Sequence, residues 1–217
     1  MDFRRAEAPD CPELAALMSD ALSGYPIYTA AQEYLKPGVD SREMLMSINR
    51  TLCNFFMRYN KACFIALDEG NIAGEIMLEA PGEAEFNKRT ATLCGGLDTL
   101  KFMKVKAARE CTPILITPEV SKNMRGPEDL YILNIAVHEL WRGQGLARRL
   151  VFDCAVPYAR KKGCKRLTLM VNTEKHAAMF QHMGFELLDR HDVDFAGKRI
   201  PYYSMAMKID NPNEKQV

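Results

Sequence analysis

Hydrophobic residues in the first 60 positions recur every three or four residues, which is the spacing that gives an α-helix one apolar face. The pattern predicts a short strand over residues 3–6 and a first helix that Asp10 caps, with Glu13 answering it three positions later. A second helix is predicted to begin after Ser41, and the segment between the two helices is predicted to be a loop or a broken helix. The apolar stripes are Leu14, Leu17, Met18, Ala21 and Leu22, then Met44, Leu45, Ile48, Leu52, Phe55 and Phe56.

A hairpin of two strands is predicted next. Residues 62–67 and 72–78 are mostly apolar, and the turn-forming residues Asp68-Glu69-Gly70-Asn71 separate them. The following residues, 82–126, mix glycine, proline and charge without a strand pattern, although residues 98–110 are compatible with a helix. A long insertion of this kind inside one domain is more often a lid or a binding element than a plain connection.

The second half of the chain alternates strands and helices more regularly. A glycine-rich turn separates the first strand from the first helix, and we expect Pro157 to bend that helix. The predicted elements are a strand at 130–137, a helix at 145–162, a strand at 165–171 and a helix at 174–183. Met183-Gly184-Phe185 then marks the helix end and the start of a new strand, followed by strands at 192–195 and 202–207 with a glycine-containing turn between them.

The strand at 130–137 contains one irregularity. Leu130 and Ile132 share one face by alternation, whereas Leu133, Ile135 and Val137 share the other, so the apolar phase slips once. A bulge or a splayed strand would explain the slip, and bulges are common beside active sites. A strand that is buried on both faces explains the pattern equally well.

Length and composition limit the architecture. The 217 residues, of which 47% are hydrophobic and 26% charged, are typical of one globular domain with a sizeable core. We expect a single domain over residues 1–209, with the insertion at 82–126, and a flexible polar tail over 210–217. The sequence lacks both the run of ~20 apolar residues that a membrane helix needs and the apolar stretch of a signal peptide. We therefore expect a cytoplasmic protein that does not bind membranes.

Charge and cysteine content argue against two further classes of partner. Lys and Arg number 29 against 28 Asp and Glu, so a net charge of +1 gives no general attraction to nucleic acid, and we expect no nucleic-acid partner. The seven cysteines have no pair at the C-x-x-C spacing of metal sites, so we expect reduced thiols and no metal.

The turn after the strand at 130–137 carries the strongest chemical signal. Gly143 and Gly145, followed by Ala147, leave successive backbone N–H groups uncovered where a helix begins, and the helix dipole adds positive potential there. This arrangement predicts an anion site that suits a pyrophosphate. Local positive charge is available from Arg142, Arg148 and Arg149.

Two common phosphate-binding motifs are excluded. A nucleoside-triphosphate P-loop needs Lys and then Ser or Thr after the second glycine, where this chain has Leu146 and Ala147. The dinucleotide fingerprint G-x-G-x-x-G needs a third glycine, where this chain has Arg148.

The remaining pattern is Arg-x-x-Gly-x-Ala at Arg142, Gly145 and Ala147, after the strand Leu133-Asn134-Ile135-Ala136-Val137. With it the sequence resembles the GNAT superfamily of N-acetyltransferases, whose signature is Q/R-x-x-G-x-G/A. A second match, Phe180-Gln181-His182-Met183-Gly184-Phe185, is similar to the aromatic-x-x-x-Gly-Phe segment of that family. The resemblance covers residues 130–185, and the N-terminal half agrees only in the coarse order of its elements.

The resemblance implies an α+β fold: a central, mixed, mostly antiparallel sheet, splayed between its fourth and fifth strands and flanked by helices. It also implies acetyl-CoA as co-substrate, with the pantetheine arm in the splay and the pyrophosphate on the turn. The spacing from Asn172 to Phe180 is one residue longer than is usual in the family. The residues implied for cofactor binding are Ile135, Ala136, Val137, Arg142, Gly143, Gln144, Gly145, Leu146, Ala147, Arg148, Asn172 and Phe180.

Acetyl transfer to an amine needs proton transfers that the sequence does not assign clearly. A free alkylamine has a pKa near ~10.4 and must lose a proton, and the departing thiolate, with a pKa of about 8.5, benefits from a proton donor. Many family members have a donor Tyr where this chain has Phe180, which cannot donate. Tyr131 and Tyr202 are therefore the predicted catalytic residues. Glu128 and Asp129 either form an acidic mouth that attracts an amine or are merely solvated.

The expected function is N-acetylation of a primary amine of a small molecule or peptide by direct attack on acetyl-CoA. The alternative is a non-catalytic acyl-CoA-binding or sensory module with the same fold. The acceptor would contact the variable segments 10–60 and 82–126, which carry no decodable signature, and a homodimer is compatible with the sequence.

Overall fold

The computed structural model of the chain describes residues 1–104 and 125–209. Seven strands form one sheet whose spatial order is β1-β2-β3-β4-β5-β7-β6 in the following numbering: β1 (Asp2–Arg5), β2 (Ala62–Asp68), β3 (Asn71–Glu79), β4 (Asp129–Val137), β5 (Arg166–Val171), β6 (Glu186–Phe195) and β7 (Lys198–Lys208). Neighbouring strands are antiparallel except β4 and β5, which are parallel.

Helices cover both faces of the sheet. In the described ranges they are α1 (Cys11–Leu22), α2 (Pro26–Ala31), α3 (Ser41–Arg58), α4 (Lys88–Leu93), α5 (146–161) and α6 (Glu174–His182). Leu150 and Val151 of α5 and Phe180 of α6 pack on one face of the sheet, and Leu14 of α1 and Phe56 of α3 pack on the other. A mixed, mostly antiparallel sheet between two helical layers confirms the predicted α+β fold.

A third apolar cluster lies where α2, the start of α3 and the β6–β7 hairpin meet. Ile27, Met44, Leu45, Ile200 and Tyr202 are all buried in it. This cluster joins the N-terminal helices to the last hairpin, so the segment around α2 is packed against the C-terminal end of the sheet.

The predicted cap of α1 is wrong. The Asp10 carboxylate accepts hydrogen bonds from the Glu7 backbone nitrogen at 2.7 Å and from the Arg4 guanidinium at 2.7 and 2.8 Å, so it does not cap the helix. Glu13 instead accepts from the backbone nitrogen of Ile72 at 2.9 Å. A 3-10 turn over Ala8–Asp10 leads the chain into α1, and the polar groups near the helix start are used in contacts with this turn and with the sheet.

The predicted start of α3 is correct, but its cap is the preceding residue. The Asp40 side chain accepts a hydrogen bond from the Arg42 backbone nitrogen at 2.9 Å, and Ser41 is the first helical residue. Both residue types are good caps, so the local pattern does not distinguish between them.

The insertion is partly described. The helix predicted over 98–110 is observed as a 3-10 turn over Gly96–Lys101, preceded by α4, which the pattern did not predict. Residues 105–124, which include the rest of that predicted helix, and the predicted tail 210–217 lie outside the described residues. The division into domain, insertion and tail therefore stays a prediction.

The strand predicted after Gly184 and the strand predicted at 192–195 form one continuous strand, β6, and the predicted glycine-containing turn joins it to β7. β6 extends back to Glu186, and Ala196 and Gly197 form the turn to β7 with φ angles of 52° and 71°. β6 is an edge strand whose first half is exposed, so its residues lack the apolar alternation on which strand prediction depends.

The helix type of α5 changes next to Pro157. The π-helical turn Leu150–Ala155 lies directly before the α-helical turn Val156–Lys161 that contains this proline. Because proline has no N–H to donate four residues back, a π turn next to it is a common accommodation. The proline thus follows a change of helix type, and the predicted bend stays a prediction.

Candidate functional site

The parallel strands β4 and β5 separate halfway along their length. Their last pair is Ile132 with Leu169, and beyond it the described residues of the two strands do not pair. The register with β3 skips Leu133 between Ile132 and Asn134. The phase slip therefore corresponds to a β-bulge, and the bulge lies where the gap opens.

The open edge of β4 presents backbone groups to this gap. The His138 backbone nitrogen donates to the Ala73 carbonyl of β3 at 2.9 Å. Hydrogen-bonding direction alternates along an antiparallel strand. The backbone groups of Val137 and Ile135 therefore point away from β3 and into the gap, whereas those of Ala136 point toward β3. Of the three predicted β4 contacts, Ile135 and Val137 have the required orientation.

The glycine-rich turn closes the same end of the sheet. Gly143 and Gly145 have φ angles of 76° and 77°, which side chains rarely adopt, and a Cβ atom on either would meet nothing within 4 Å. The space over the turn is therefore open. Within the described part of the chain, no hydrogen bond is donated by the backbone N–H groups of residues 143–147, and they precede the first turn of α5. Such a cradle of amides suits an anion.

The side chains of the turn divide into those that shape it and those that add charge. Arg142 Nε donates to the Val137 carbonyl at 3.0 Å, and Gln144 Nε2 donates to the Leu140 carbonyl at 2.8 Å. These bonds hold the turn against the end of β4. The terminal nitrogens of Arg142 remain near the open face of the turn, since the residue is exposed.

The two following arginines are held on the outside of α5. The Arg148 guanidinium lies over the Phe152 ring at 4.5 Å. Arg149 lies over Phe3 at 4.7 Å and forms an ion pair with Asp153 at 3.4 Å. Arg148 is thus placed beside the anion cradle without an acidic partner among the described residues, as the predicted role requires.

Asn172, the first residue after β5, is already engaged in hydrogen bonds. Its backbone nitrogen donates to Tyr25 Oη at 2.8 Å and its Nδ2 donates to the Pro201 carbonyl at 3.1 Å. Its side chain also bonds to the Tyr202 hydroxyl. Asn172 therefore ties the end of β5 to two tyrosines, and its predicted contact with the pantetheine arm stays a prediction.

Phe180 lies in the core between α6 and the sheet. It is 1% exposed, and its ring contacts Phe185 edge to face at 5.3 Å between centroids. The structure brings the two parts of the predicted Gly-Phe segment together as a packing unit.

The two predicted catalytic tyrosines are buried beside the gap rather than in its opening. Tyr131 pairs with Thr168 in the closed part of the β4–β5 ladder, and the Arg125 guanidinium lies 3.3 Å from its ring centroid. Tyr202 stacks on His191 at 5.7 Å, and burial raises its pKa to about 12. The Tyr202 hydroxyl therefore keeps its proton at neutral pH, and it bonds to the Asn172 side chain at the end of β5.

Two further tyrosines join this group. Tyr25 and Tyr28 lie at the start of α2, and burial raises the pKa of both hydroxyls, to about 12 for Tyr28. The nearby hydroxyls of Tyr28, Tyr131 and Tyr202 raise the pKa of Tyr25 further. The sequence placed these residues only in a loop or broken helix, because contacts that span more than 140 residues leave no local signal.

The sequence did not identify a buried carboxyl group on β3 as part of the site. Glu75 is 0% exposed, and Asn134 Nδ2 donates to its Oε1 at 2.9 Å. Burial raises the pKa of Glu75 to about 8, although a hydrogen bond from the Ala136 backbone works against the shift. The available signal was a charged residue in the middle of a strand with apolar residues on both faces.

The acidic mouth suggested by Glu128 and Asp129 is not formed. Asp129 is 5% exposed and holds Arg166 by two hydrogen bonds of 2.8 and 2.6 Å. Glu128 pairs with Lys165 at 2.8 Å on the surface. Both carboxylates are therefore used in ion pairs that join β4 to β5 at the closed end of the ladder.

His176, near the start of α6, contacts Tyr25. Its ring lies 5.6 Å from the Tyr25 ring, and its Nδ1 is 2.8 Å from the Thr173 hydroxyl. Burial lowers the pKa of His176, and the charges of Lys175 and Arg142 lower it further. This electrostatic contact shows that the turn and the start of α6 flank the same region.

The described residues contain neither a membrane-spanning helix nor a cluster of metal-binding side chains. Across residues 1–104 and 125–209, every helix is too short or too polar to cross a lipid bilayer. The same residues contain no group of three or more His, Cys, Asp or Glu side chains suited to a metal ion.

Comparisons with known proteins identify related sequences and folds. A model of the acetyltransferase (GNAT) family matches residues 25–185. The fold is similar to that of the protein described as histone acetyltransferase HPA2 and related acetyltransferase from Corynebacterium glutamicum, with a TM-score of 0.64, 16% identity and coverage of 97% of both chains. No curated protein sequence matches the chain significantly.

Two further solved structures have similar folds. An N-acetyltransferase from Staphylococcus aureus Mu50 has a TM-score of 0.57 and 14% identity, and the match covers 96% of this chain and 98% of that one. The acetyltransferase yncA from Salmonella typhimurium, solved with its cofactor acetyl-CoA, has a TM-score of 0.55 and 13% identity, with 97% and 95% coverage. At these identities the likeness is one of fold.

Proposed function

Because the chain belongs to the GNAT acetyltransferase family, we propose that it is an N-acetyltransferase that transfers an acetyl group from acetyl-CoA to a primary amine by direct attack. The acceptor in this proposal is a small molecule or a peptide. The observation that carries the proposal is the gap between β4 and β5, which opens at the bulged residue Leu133 and ends at an exposed cradle of backbone amides.

The residues around the gap fit the parts of acetyl-CoA. The gap-facing backbone groups of Ile135 and Val137 suit the amides of a pantetheine arm, which need both donors and acceptors. The N–H groups of residues 143–147, with Arg142 and Arg148, suit a pyrophosphate. The Salmonella typhimurium structure with acetyl-CoA supports the same co-substrate here.

When bound, acetyl-CoA supplies an acetyl group that is activated as a thioester. The protein's contribution is to hold that group in line with the amine and to supply hydrogen-bond donors in a site with little water. The bulge at Leu133 frees β4 backbone groups at the point where the gap begins, so donors are available there without any particular side chain.

Calorimetric titration of the full chain with acetyl-CoA tests the proposal. We expect one site of micromolar affinity, similar affinity for coenzyme A and little heat with ATP, followed by thiol release in a panel of primary amines. Tight binding without thiol release in any amine would favour the non-catalytic acyl-CoA-binding module, which the buried, hydroxyl-free Phe180 makes a specific alternative. Absence of binding would contradict both.

A further inference from the structure

The proposed reaction needs a proton donor that the last helix does not provide. When the thioester C–S bond breaks, its electron pair goes to sulfur, and the thiolate, with a pKa of about 8.5, is a better leaving group if it receives a proton. Phe180 has no O–H and its ring is packed in the core. This inference rests on the proposed function and concerns which residue supplies the proton.

One tyrosine hydroxyl lies where the gap is open. Tyr25 Oη is 2.8 Å from the backbone nitrogen of Asn172, three residues beyond Leu169, the last β5 residue that pairs with β4. The β5–β7 ladder ends at Val171, and the Asn172 N–H is donated to Tyr25 instead of to β7. The hydroxyl therefore lies at the splayed end of β5.

The Tyr202 hydroxyl also reaches Asn172, through the Asn172 side chain, so the surroundings and the exposure of each tyrosine must separate the candidates. The Tyr131 side chain belongs to the closed part of the ladder, Tyr202 stacks on His191, and Tyr28 has burial alone as the cause of its raised pKa. Tyr25 is only half-buried, whereas the exposed fractions of Tyr131 and Tyr202 are 5% and 2%. Tyr25 is therefore the least covered of these three residues as a whole.

The backbone holds Tyr25 firmly in place. Its nitrogen donates to the Leu22 carbonyl at 2.9 Å, and its carbonyl accepts from Tyr28 and Thr29 at 3.0 and 2.9 Å. The residue is the N-cap of α2, and Pro26 follows it as the first helical residue. These bonds limit the motion of the phenol to rotation about its side-chain torsions, which the ring contact with His176 restricts further.

The surroundings favour a phenol that is protonated at rest and can still release its proton. Burial raises the pKa of Tyr25 above its ordinary value, whereas the hydrogen bond from the Asn172 N–H acts in the opposite direction. Within the described residues, the hydroxyl accepts that bond and donates none, so its own proton is available. Burial also raises the pKa of a thiol beside it, which favours the protonated thiol as the product.

We propose that Tyr25 is the proton donor to the coenzyme A sulfur. As the C–S bond breaks, its electrons go to sulfur, the S–H bond forms with the Tyr25 proton, and a phenolate remains that the Asn172 N–H stabilises. The phenolate regains a proton from the acylated nitrogen, directly or through water. The net change is the acetyl group moved from sulfur to nitrogen, with a C–N bond formed for the C–S bond broken, and one proton moved from nitrogen to sulfur, with no other reactant.

A titration of bound coenzyme A tests the proposal without an acceptor. The ultraviolet absorbance of the thiolate gives the pKa of the bound thiol in the wild type, in Tyr25→Phe and in the matched control Tyr28→Phe. A hydroxyl that donates to the thiolate lowers this pKa, so we expect Tyr25→Phe to raise it by about one unit, a tenfold change in ionisation, and Tyr28→Phe to leave it unchanged. Equal values in the wild type and Tyr25→Phe would overturn the proposal.

The rate of acetyl transfer gives an independent result. With any primary amine that the wild type acetylates, we expect Tyr25→Phe to lower kcat by 10- to 100-fold, with acetyl-CoA affinity changed less than about threefold, and Tyr28→Phe to retain kcat. A larger loss in Tyr131→Phe or Tyr202→Phe than in Tyr25→Phe would assign the donor elsewhere. If coenzyme A does not bind the wild type, the proposed function fails and this inference fails with it, whereas binding with an unchanged thiol pKa contradicts the inference alone.

Discussion

Asn134 Nδ2 donates a hydrogen bond to Glu75 Oε1 at 2.9 Å, from the residue after the β4 bulge to the centre of β3. The second carboxyl oxygen of Glu75 has no hydrogen-bond partner among the described residues. A buried carboxylate that is ionised and has no cation beside it among its hydrogen-bond partners is costly, whereas the protonated acid carries no charge. We therefore expect Glu75 to be protonated in the folded chain, so that the hydrogen bond from Asn134 beside the bulge is made to a neutral acid.

Glu75 makes the stability of the fold depend on pH. The unfolded chain releases this proton near the ordinary pKa of 4.5, whereas the folded chain keeps it up to about 8. Between these values the folded state binds more protons, so the free energy of unfolding falls as pH rises. We expect Glu75→Gln to remove about 3 kcal/mol of the difference between pH 5.5 and pH 8, measured by urea unfolding.

The exposed Glu139 provides the control for this measurement. Glu139→Gln should leave the difference between the two pH values as it is in the wild type. A Glu75→Gln variant with the same pH dependence as the wild type would show that Glu75 is ionised in the folded state.

Gly145 tests the anion cradle. We expect Gly145→Glu to reduce acetyl-CoA affinity by more than about 100-fold, because a side chain and a negative charge would occupy the space over the amides, each costing on the order of 1–2 kcal/mol. The positive φ of 77° adds a folding cost of about 1 kcal/mol that is independent of the ligand.

Gly163 is a matched control at the other end of α5. It also has a positive φ, 72°, and open space around its Cβ position, so Gly163→Glu carries the same backbone cost. Calorimetry should give wild-type acetyl-CoA affinity for Gly163→Glu. Equal losses in both variants would attribute the effect to backbone strain instead of the cradle.

Asp129 tests the alternative in which an acidic mouth recognises the amine. The residue holds Arg166 by two bonds and also accepts from the Gly126 backbone at 2.7 Å, so we expect Asp129→Asn to lower the free energy of unfolding by about 2 kcal/mol. Glu128→Gln, which removes a surface pair, should cost less than about 0.5 kcal/mol. A selective rise of KM for the amine in either variant would show that the substituted carboxylate contributes to amine recognition.

Local patterns predicted the part of the site that the backbone forms. The phase slip at Leu133 is a bulge, and the spacing of Arg142 and Gly145 marks the turn, because both features depend on neighbouring residues. The gap between β4 and β5 came from the family resemblance instead, since splaying leaves no periodic signal.

Contacts between distant segments account for what the sequence did not predict. Tyr25 meets Asn172, and Glu75 meets Asn134, only after the sheet has assembled. The cap of α1 failed for two reasons: the Asp10 carboxylate is used by the neighbouring residues Arg4 and Glu7, and the Glu13 carboxylate is used by the distant Ile72. Residue types indicated which groups have chemistry, but the fold decides which of them meet.

Phe180→Tyr distinguishes a donor on the last helix from one at Tyr25. Phe180 is 1% exposed and contacts Phe185 at 5.3 Å, so a hydroxyl added here enters the core and should destabilise the fold by about 1–3 kcal/mol. We expect acetyl-CoA affinity within about threefold of the wild type and a rate of thiol release that does not rise, because proton donation is already supplied. Unfolding, calorimetry and thiol release on the same preparation separate these effects. An acceleration of tenfold or more would show that the wild type lacks an efficient donor and that position 180 faces the sulfur, which is incompatible with Tyr25 in that role.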